Sequence, residues 1–576
     1  MSCTRVARAA VAVAVCVLMA GCVQMPTEGP VEVPQVTPDV DDVPGISFDP
    51  RPPQAGEPAA DIVSGFLEAM KATPIRTTVA RQFLSREAAD GWVPEKQIIT
   101  YNELGTPEGD TAVRIPMKDV NLYDASGSWQ RTVGTRGLRL GLVQQDGEWR
   151  IDDVPDALIV PDSWFGDWYQ RVSLYLFDPT SEVLVPEPVF APRGDQFASS
   201  LVRGLLTQPS EESQQVSRTY FPPGTTQGLS VPISSGIAEV ALSGDPDAID
   251  DETARRMQAQ LGWTLRQDPR INALLLSVGG RSFGLAGGSS LVGVDVGETY
   301  DPSDQASTDL FALADGLVVK GSIGAFEPTA GPLGQVDYGL ASISANVEGS
   351  RVAGITDDGS AMVVSAVGAP DAEVETVVTG AQDLVAPGWD YRDRIWGLDR
   401  AGGRARVVLV ADGVASVRVV PGLSGRNLTK LLVSRDGSRL VAVVRGVKVD
   451  RVVSARIRHD SDGGVIGFTP LQKLPLPVDG SPRIRDIAWR SPTTVSVLSD
   501  IGEDFSQVRT LSVDGSPGPI VTVGTTRLRG RIRMLVSAPV DSEVFALAGR
   551  TVKSLTRPER AIPDLPRGLT SLGYTG

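Results

Sequence analysis

Asp245, Asp247, Asp250, Asp251 and Glu252 fall within eight positions of the stretch GDPDAIDDE. Clustered carboxylates are what calcium needs, but a calcium-binding EF-hand loop also requires an acid at its fifth position and glycine at its sixth. Ile249 and Asp250 stand there instead. The same acids precede a helical pattern, where free N–H groups and the helix dipole favour negative charge, so they are expected to cap that helix. Ser282 lies in GRSFG, Gly280 to Gly284. This has the G-x-S-x-G spacing of a nucleophile elbow, which needs a helix immediately afterwards. The glycine-rich LAGGSSLVG follows, so a plain turn is expected. One histidine, His459, sits beside a turn in RHDSDGG. A lone polar residue there is expected at the surface, not acting as a base. HDSDGG and TDDGS read as hairpin turns. The dipeptide Gly-Lys does not occur, which excludes a P-loop. A pair of acids brought together from distant positions stays open, because a glycosidase-like pair needs no closeness in sequence.

The three cysteines are Cys3, Cys16 and Cys22. Ala9 to Ala20 is a run of twelve apolar residues behind Arg5 and Arg8. That is short of the roughly 20 needed to cross a bilayer as a helix. Basic flank, short apolar stretch and small terminal residues make a secretory signal peptide, residues 1–21. Met19-Ala20-Gly21-Cys22 resembles a bacterial lipobox, whose cysteine carries a diacylglyceryl lipid and acyl chains of the palmitate kind. Cys22 is therefore the one residue assigned a role, lipidation, and two or more chains suffice to anchor a protein. The expected location is the extracytoplasmic face of the cell membrane. The mature chain then has no free thiol. Clustered zinc ligands are excluded as well, and no catalytic residue, metal or cofactor is expected.

A net charge of −16, with only eight lysines, argues against nucleic acid as a partner. Residues 22–58 form an acidic, proline-rich tether, with nine prolines and seven acids between Val23 and Pro58. Over 59–160, Val63, Phe66, Leu67 and Met70 mark one apolar helix face. A second helix is expected in TTVARQFLSREAA, followed by strands in TAVRIPM, LRLGLVQQ and GEWRIDDV. This is an α+β unit that resembles NTF2-like modules in element order. Over 163–281, two strands and a helix (Phe197, Leu201, Leu205) are followed by more strands and a second helix (Met257, Leu261, Leu265). INALLLSVGG closes the unit as a buried strand. This α/β sandwich resembles the GerMN module, through its PPGT turn, its alternating AEVALS strand and the acidic start of its second helix. Over 310–576 the runs are all-β. Ser344, Trp389, Ser434, Trp489 and Ser537 recur at separations of 45, 45, 55 and 48 residues. Propeller blades repeat at about 40–50, and SRDGSRL looks like the turn of TolB-type blades. Five blades are visible, and DLFALADGLVVKG supplies a strand pair for a sixth.

Lipobox, tether, α+β unit, GerMN-like module and propeller in this order resemble the actinobacterial LpqB lipoprotein family. The resemblance implies a non-enzymatic accessory protein of the MtrA–MtrB two-component system, touching the extracellular domain of the sensor histidine kinase MtrB and influencing envelope growth and division. Two other readings remain beside it. One is a carboxylate-based hydrolase of a cell-wall polymer; the other is a lipoprotein whose propeller senses a small ligand.

Overall fold

The apolar stripe Val63, Phe66, Leu67 and Met70 lies fully inside, on helix α1 (Ala59–Ala69) and its C-cap. Gly65 is required on the same helix, because a β-carbon there would stand 2.5 Å from the Phe83 ring. The single second helix expected from the sequence is instead two, α2 (Thr78–Arg81) and α3 (Arg86–Gly91). The reason is local. Ile151 donates its N–H to Phe83 O at 2.9 Å, and Ser85 donates to Ile151 O at 2.8 Å, which pulls the chain out straight. The Ser85 hydroxyl then accepts from Ala88 N at 3.1 Å and starts a new helix.

The computed structural model describes residues 47–209, 211–284, 289–476, 483–502, 504–517, 525–538 and 543–576. The expected leader, Cys22 and the tether as far as residue 46 lie outside the described residues. The N-terminal sheet is built from β1 (Gln97–Tyr101), β2 (Glu103–Leu104), β3 (Ala112–Asp124), β4 (Trp129–Gln145), β5 (Glu148–Asp153) and β6 (Leu158–Pro161). The strand order is β5-β4-β3-β1-β6, with β2 on β3. Val113, Ile115 and Met117 are buried while Arg114, Pro116 and Lys118 face out, the period of two that one covered face imposes. Asp146 and Gly147 both take positive φ in the β4–β5 turn. This core runs on past residue 160, through helix α4 (Asp162–Trp168), to Phe165, Trp168 and Tyr169.

The middle domain opens with the hairpin β7 (Tyr169–Phe177) and β8 (Leu184–Pro192), followed by α5 (Phe197–Leu206) and α6 (Glu211–Gln214). Then come β9 (Ile233–Ser234), β10 (Ile237–Leu242), α7 (Asp251–Leu265), β11 (Ala273–Val278), β12 (Arg281–Phe283) and β13 (Leu291–Gly293). β10 and β11 are parallel, joined through α7. Leu174 and Val189 of the hairpin, Leu201 of α5, Met257 and Leu261 of α7 and Leu274 of β11 share one core. INALLLSVGG does not close the unit. β11 is flanked on its far edge by both β12 and β13, each covering half its length.

From Leu310 onward the described residues form six sheets. Blade 1 takes its inner strand, Leu569–Gly573, from the far end of the chain, paired to Leu310–Ala314. Blade 2 covers Leu340 to Val378, blade 3 Leu384 to Arg418, blade 4 Leu428 to Leu474, blade 5 Ile484 to Arg529 and blade 6 Met534 to Ser554. Their cores lie between neighbours. Phe311 and Leu313 of blade 1 meet Ile343 and Val352 of blade 2. The series continues around the ring until Phe545 and Leu547 of blade 6 meet Leu310 and Ala312 of blade 1. Consecutive buried residues therefore serve opposite cores: Leu440 and Ala442 face blade 3, while Val441 and Val443 face blade 5. The aligned tryptophans tie blades together. Trp389 Nε1 donates to Ser344 O of blade 2 at 3.0 Å, and Trp489 Nε1 to Val433 O of blade 4 at 2.8 Å.

Polar contacts fasten the middle domain to one face of this ring. Arg439 and Arg456 stand directly opposite each other on adjacent strands of blade 4. Glu187 of β8 binds both, with Arg439 Nη2 and Arg456 Nη1 donating to Oε2 at 2.9 and 2.8 Å. Burial by itself would push the Glu187 carboxyl up, but the two guanidinium groups outweigh it and hold it below the usual glutamate value. Tyr391 donates to Asp178 at 3.1 Å, Arg392 pairs with Glu182, and Arg171 donates to Pro517 O at 2.7 Å.

Two outcomes follow from this architecture. Deleting Leu569–Gly576 removes the inner strand of blade 1 and should abolish the cooperative thermal transition of the propeller, followed by circular dichroism; an unaltered transition would rule out closure by this strand. Glu187→Gln keeps the shape but leaves the buried Arg439 and the half-buried Arg456 uncompensated, and should lower unfolding free energy by about 3 kcal/mol. Because the folded carboxyl titrates low, this contribution is present above the unfolded glutamate value of about 4.3 and is lost as pH falls through the folded one. Denaturant titration of both proteins at neutral and acidic pH measures it; equal midpoints at neutral pH would show the triad to be peripheral.

Candidate binding site

Beside this contact the middle domain and the propeller enclose a cavity of about 590 Å³. Its upper wall is Tyr175 of β7 with Trp263 and Arg266 of α7; the connector between the domains adds Glu298, Asp301 and Asp304; blades 4 and 5 add Arg435 and Arg490. Helical spacing places Trp263 and Arg266 within one turn, so both side chains leave α7 close together. The Arg266 guanidinium lies 3.3 Å from the Trp263 ring centre, and Tyr175 meets that ring edge-on at 5.3 Å.

Two guanidinium groups on the cavity wall, Arg435 and Arg490, make no ion pair among the described residues. Trp263 is 5% exposed, and its Nε1 is buried with no partner among the described residues. Arg435 donates to Thr575 O at 3.2 and 3.1 Å and makes no ion pair among the described residues. Burial pulls its guanidinium down to about 10. Arg490 is half-buried and bonds to no group among the described residues; burial lowers it too. Opposite them, Asp301 Oδ1 accepts from Ser303 N at 2.9 Å, and burial raises its carboxyl above the usual aspartate value. Donors on one wall and carboxylates on another suit the holding of a small polar molecule.

The residues singled out in the sequence lie elsewhere. Asp250 accepts from Thr253 N at 2.7 Å and caps α7, and Asp245 accepts from Asp247 N at 2.9 Å. Asp247 pairs with Arg281, and Glu252 with Arg256. The acidic stretch is therefore a helix start. Ser282 is exposed on β12, opposite Ser277, after a turn in which Gly279 and Gly280 take positive φ. A strand stands where an elbow would need a helix. In HDSDGG, Asp460 accepts from Gly464 N at 2.7 Å, and in TDDGS, Asp358 accepts from Ser360 N at 3.0 Å; both are hairpin turns. Among the described residues no three His, Cys, Asp or Glu side chains converge as a metal site would need.

His459 is a correction. It is not a surface residue but is buried, because the middle domain covers the end of its strand and Gln215 O accepts its N–H at 2.9 Å. Arg394 Nη2 approaches His459 Nε2 at 3.2 Å, and Arg394 Nε donates to the buried Asp390 at 2.7 Å. Burial first, and Arg394 second, push the imidazole down to about 4. It is neutral, and its lone pair is occupied. The residues that line the cavity went unread, although Arg435 and Arg490 each follow an aligned blade position, Ser434 and Trp489. A charge recurring one place after the repeat was the available signal.

Residues 52–166 match the family described as "Lipoprotein LpqB, N-terminal domain" and residues 316–550 the "Lipoprotein LpqB beta-propeller domain". Residues 173–283 match the family described as "Sporulation and spore germination". A protein named Lipoprotein LpqB from Thermobifida fusca is 27% identical over 578 residues, covering 89% of this chain and 90% of that protein. Another of the same name from Streptomyces coelicolor is 26% identical and covers 87% of each. The solved first GerMN domain of the sporulation protein GerM from Bacillus subtilis is 22% identical, with a TM-score of 0.18, and covers 22% of this chain and 97% of that one. With the two LpqB domains at either end, the germination-type domain between them and relatives matched along most of their length, this chain belongs to the LpqB lipoprotein family.

Proposed function

We propose that the protein is a lipoprotein held by lipid on Cys22 at the extracytoplasmic face of the membrane, where it serves as the accessory partner of an MtrB-like sensor kinase and catalyses no reaction. The name carried by its relatives and the LMAGC stretch support the anchor. No helix among the described residues is long and apolar enough to cross a membrane. The observation that carries the partner reading is the Glu187 clamp, which ties the middle domain to the propeller by two ion pairs. A rigid surface loses little conformational freedom on docking, and a shared membrane raises the effective concentration of both partners. A specific contact of about 1,600 Å² is ample for such a complex. Hydrolysis has less support: Glu298, Asp301 and Asp304 come from one connector, and Asp436 is held in its own turn by Ser434 and Ser438. The cavity favours a second reading, that this lipoprotein senses a small ligand.

Co-expression with the kinase, followed by measurement of phosphorylated response regulator, tests the partner reading. Deleting the propeller should change that signal while the protein stays in the membrane fraction. Cys22→Ala should release the protein from that fraction and change the signal as well. A signal indifferent to both changes would overturn the reading, and hydrolysis of a cell-wall polymer lost with one carboxylate would overturn the absence of catalysis.

A further inference from the structure

We propose that the cavity between the middle domain and blades 4 and 5 binds a small zwitterion of the amino-acid or short-peptide class, its carboxylate on Arg490 and Arg435 and its ammonium group toward Asp301 and Asp304. The unsatisfied groups fix the first half. Among the described residues the guanidinium of Arg490 makes no bond, and that of Arg435 bonds only to the carbonyl of Thr575. A buried donor left without an acceptor is destabilising. Two guanidinium groups facing one space call for a ligand rich in acceptors, and arginine forks match a carboxylate in shape.

The opposite wall fixes the second half. Glu298, Asp301 and Asp304 on one connector repel a polyanion and attract a cationic end. Arg435 feels the charge of Asp301, and Asp301 that of Arg266, yet Asp301 makes no ion pair among the described residues. Charges of opposite sign held apart across a cavity are complementary to a molecule bearing both. Tyr175, Trp263 and Trp489 supply apolar wall between the two ends. The volume lies within the range of about 300–1,000 Å³ usual for small-molecule pockets and far below a folded partner's size. The site also joins two domains, so its occupant touches both. This deepens the ligand-sensing reading by naming the ligand, and it is tested without any kinase, so that failure of the partner reading leaves it untouched.

The test is calorimetric titration of the full-length protein in detergent with trialanine and a panel of free amino acids. Trialanine amidated at its C-terminus, trialanine acetylated at its N-terminus and inorganic phosphate serve as controls. At least one free-ended probe should bind saturably, and blocking either end should weaken it, the amide by about tenfold or more, as loss of a charge-assisted hydrogen bond does. Arg490→Gln removes a guanidinium that makes no bond among the described residues, and Asp304→Asn neutralises an exposed carboxylate on the opposite wall. Each should weaken binding about tenfold with the melting temperature held. Saturable binding by none of the free-ended probes overturns the proposal. So does phosphate binding as tightly as the best peptide, or undiminished affinity in Arg490→Gln.

Discussion

Arg439 and Arg456 face each other across two strands of blade 4, an arrangement that repels in isolation. Glu187 resolves it. A carboxylate between two guanidinium groups turns a repulsive pair into a buried triad, but only when β8 is seated on the blade. Desolvating these ions costs several kcal/mol each, and the cost is recovered only at correct geometry. Such a contact is therefore close to all-or-none. It permits few intermediate positions of the middle domain, whereas a flat apolar contact tolerates sliding. The other polar contacts, Asp178 to Tyr391, Glu182 to Arg392 and Arg171 to the 516–517 segment, surround that fixed point.

The propeller can accept such a load because no blade stands alone. In blade 4 the strand Arg439–Val444 carries residues that serve two cores, so removing one face of that blade disturbs a neighbour. Closure by a strand from the far end of the chain makes the ring continuous.

Local order was legible wherever apolar spacing alone decides structure. α1, α5 and α7 announce themselves by residues three and four apart, and the blades by their recurring Ser and Trp positions. Those positions turn out to be hydrogen-bonded seams: Trp389 binds the carbonyl of Ser344, its own counterpart in the preceding blade. The helix expected over 77–89 failed because the backbone of Phe83 and Ser85 pairs with Ile151, which lies far along the chain. His459 failed for a related reason, since its burial comes from another domain covering a strand end that looks polar in sequence. Glu187 sits in VPEPVF, one charge in an apolar strand, but its meaning depends on two arginines more than 250 positions away.

Apart from the charges that follow two blade positions, Arg435 and Arg490, the cavity could not be read from the sequence, because neither wall contains it. Trp263 and Arg266 belong to a helix whose inner face explains most of its residues, and Arg490 follows a blade tryptophan. Only the docked arrangement brings them round one space. A fold selected for stability alone would fill or pair such groups, since cores pack to high density and buried polar groups nearly always find partners. Here the sequence supplies acceptors nearby, in Glu298, Asp301 and Asp304, yet the geometry keeps them from the arginines. Arg435 and Asp301 are thus retained, partly buried and without an ion pair among the described residues, where the middle domain meets the propeller. Stability given up at a site of that kind is the usual mark of a place kept for something else to occupy.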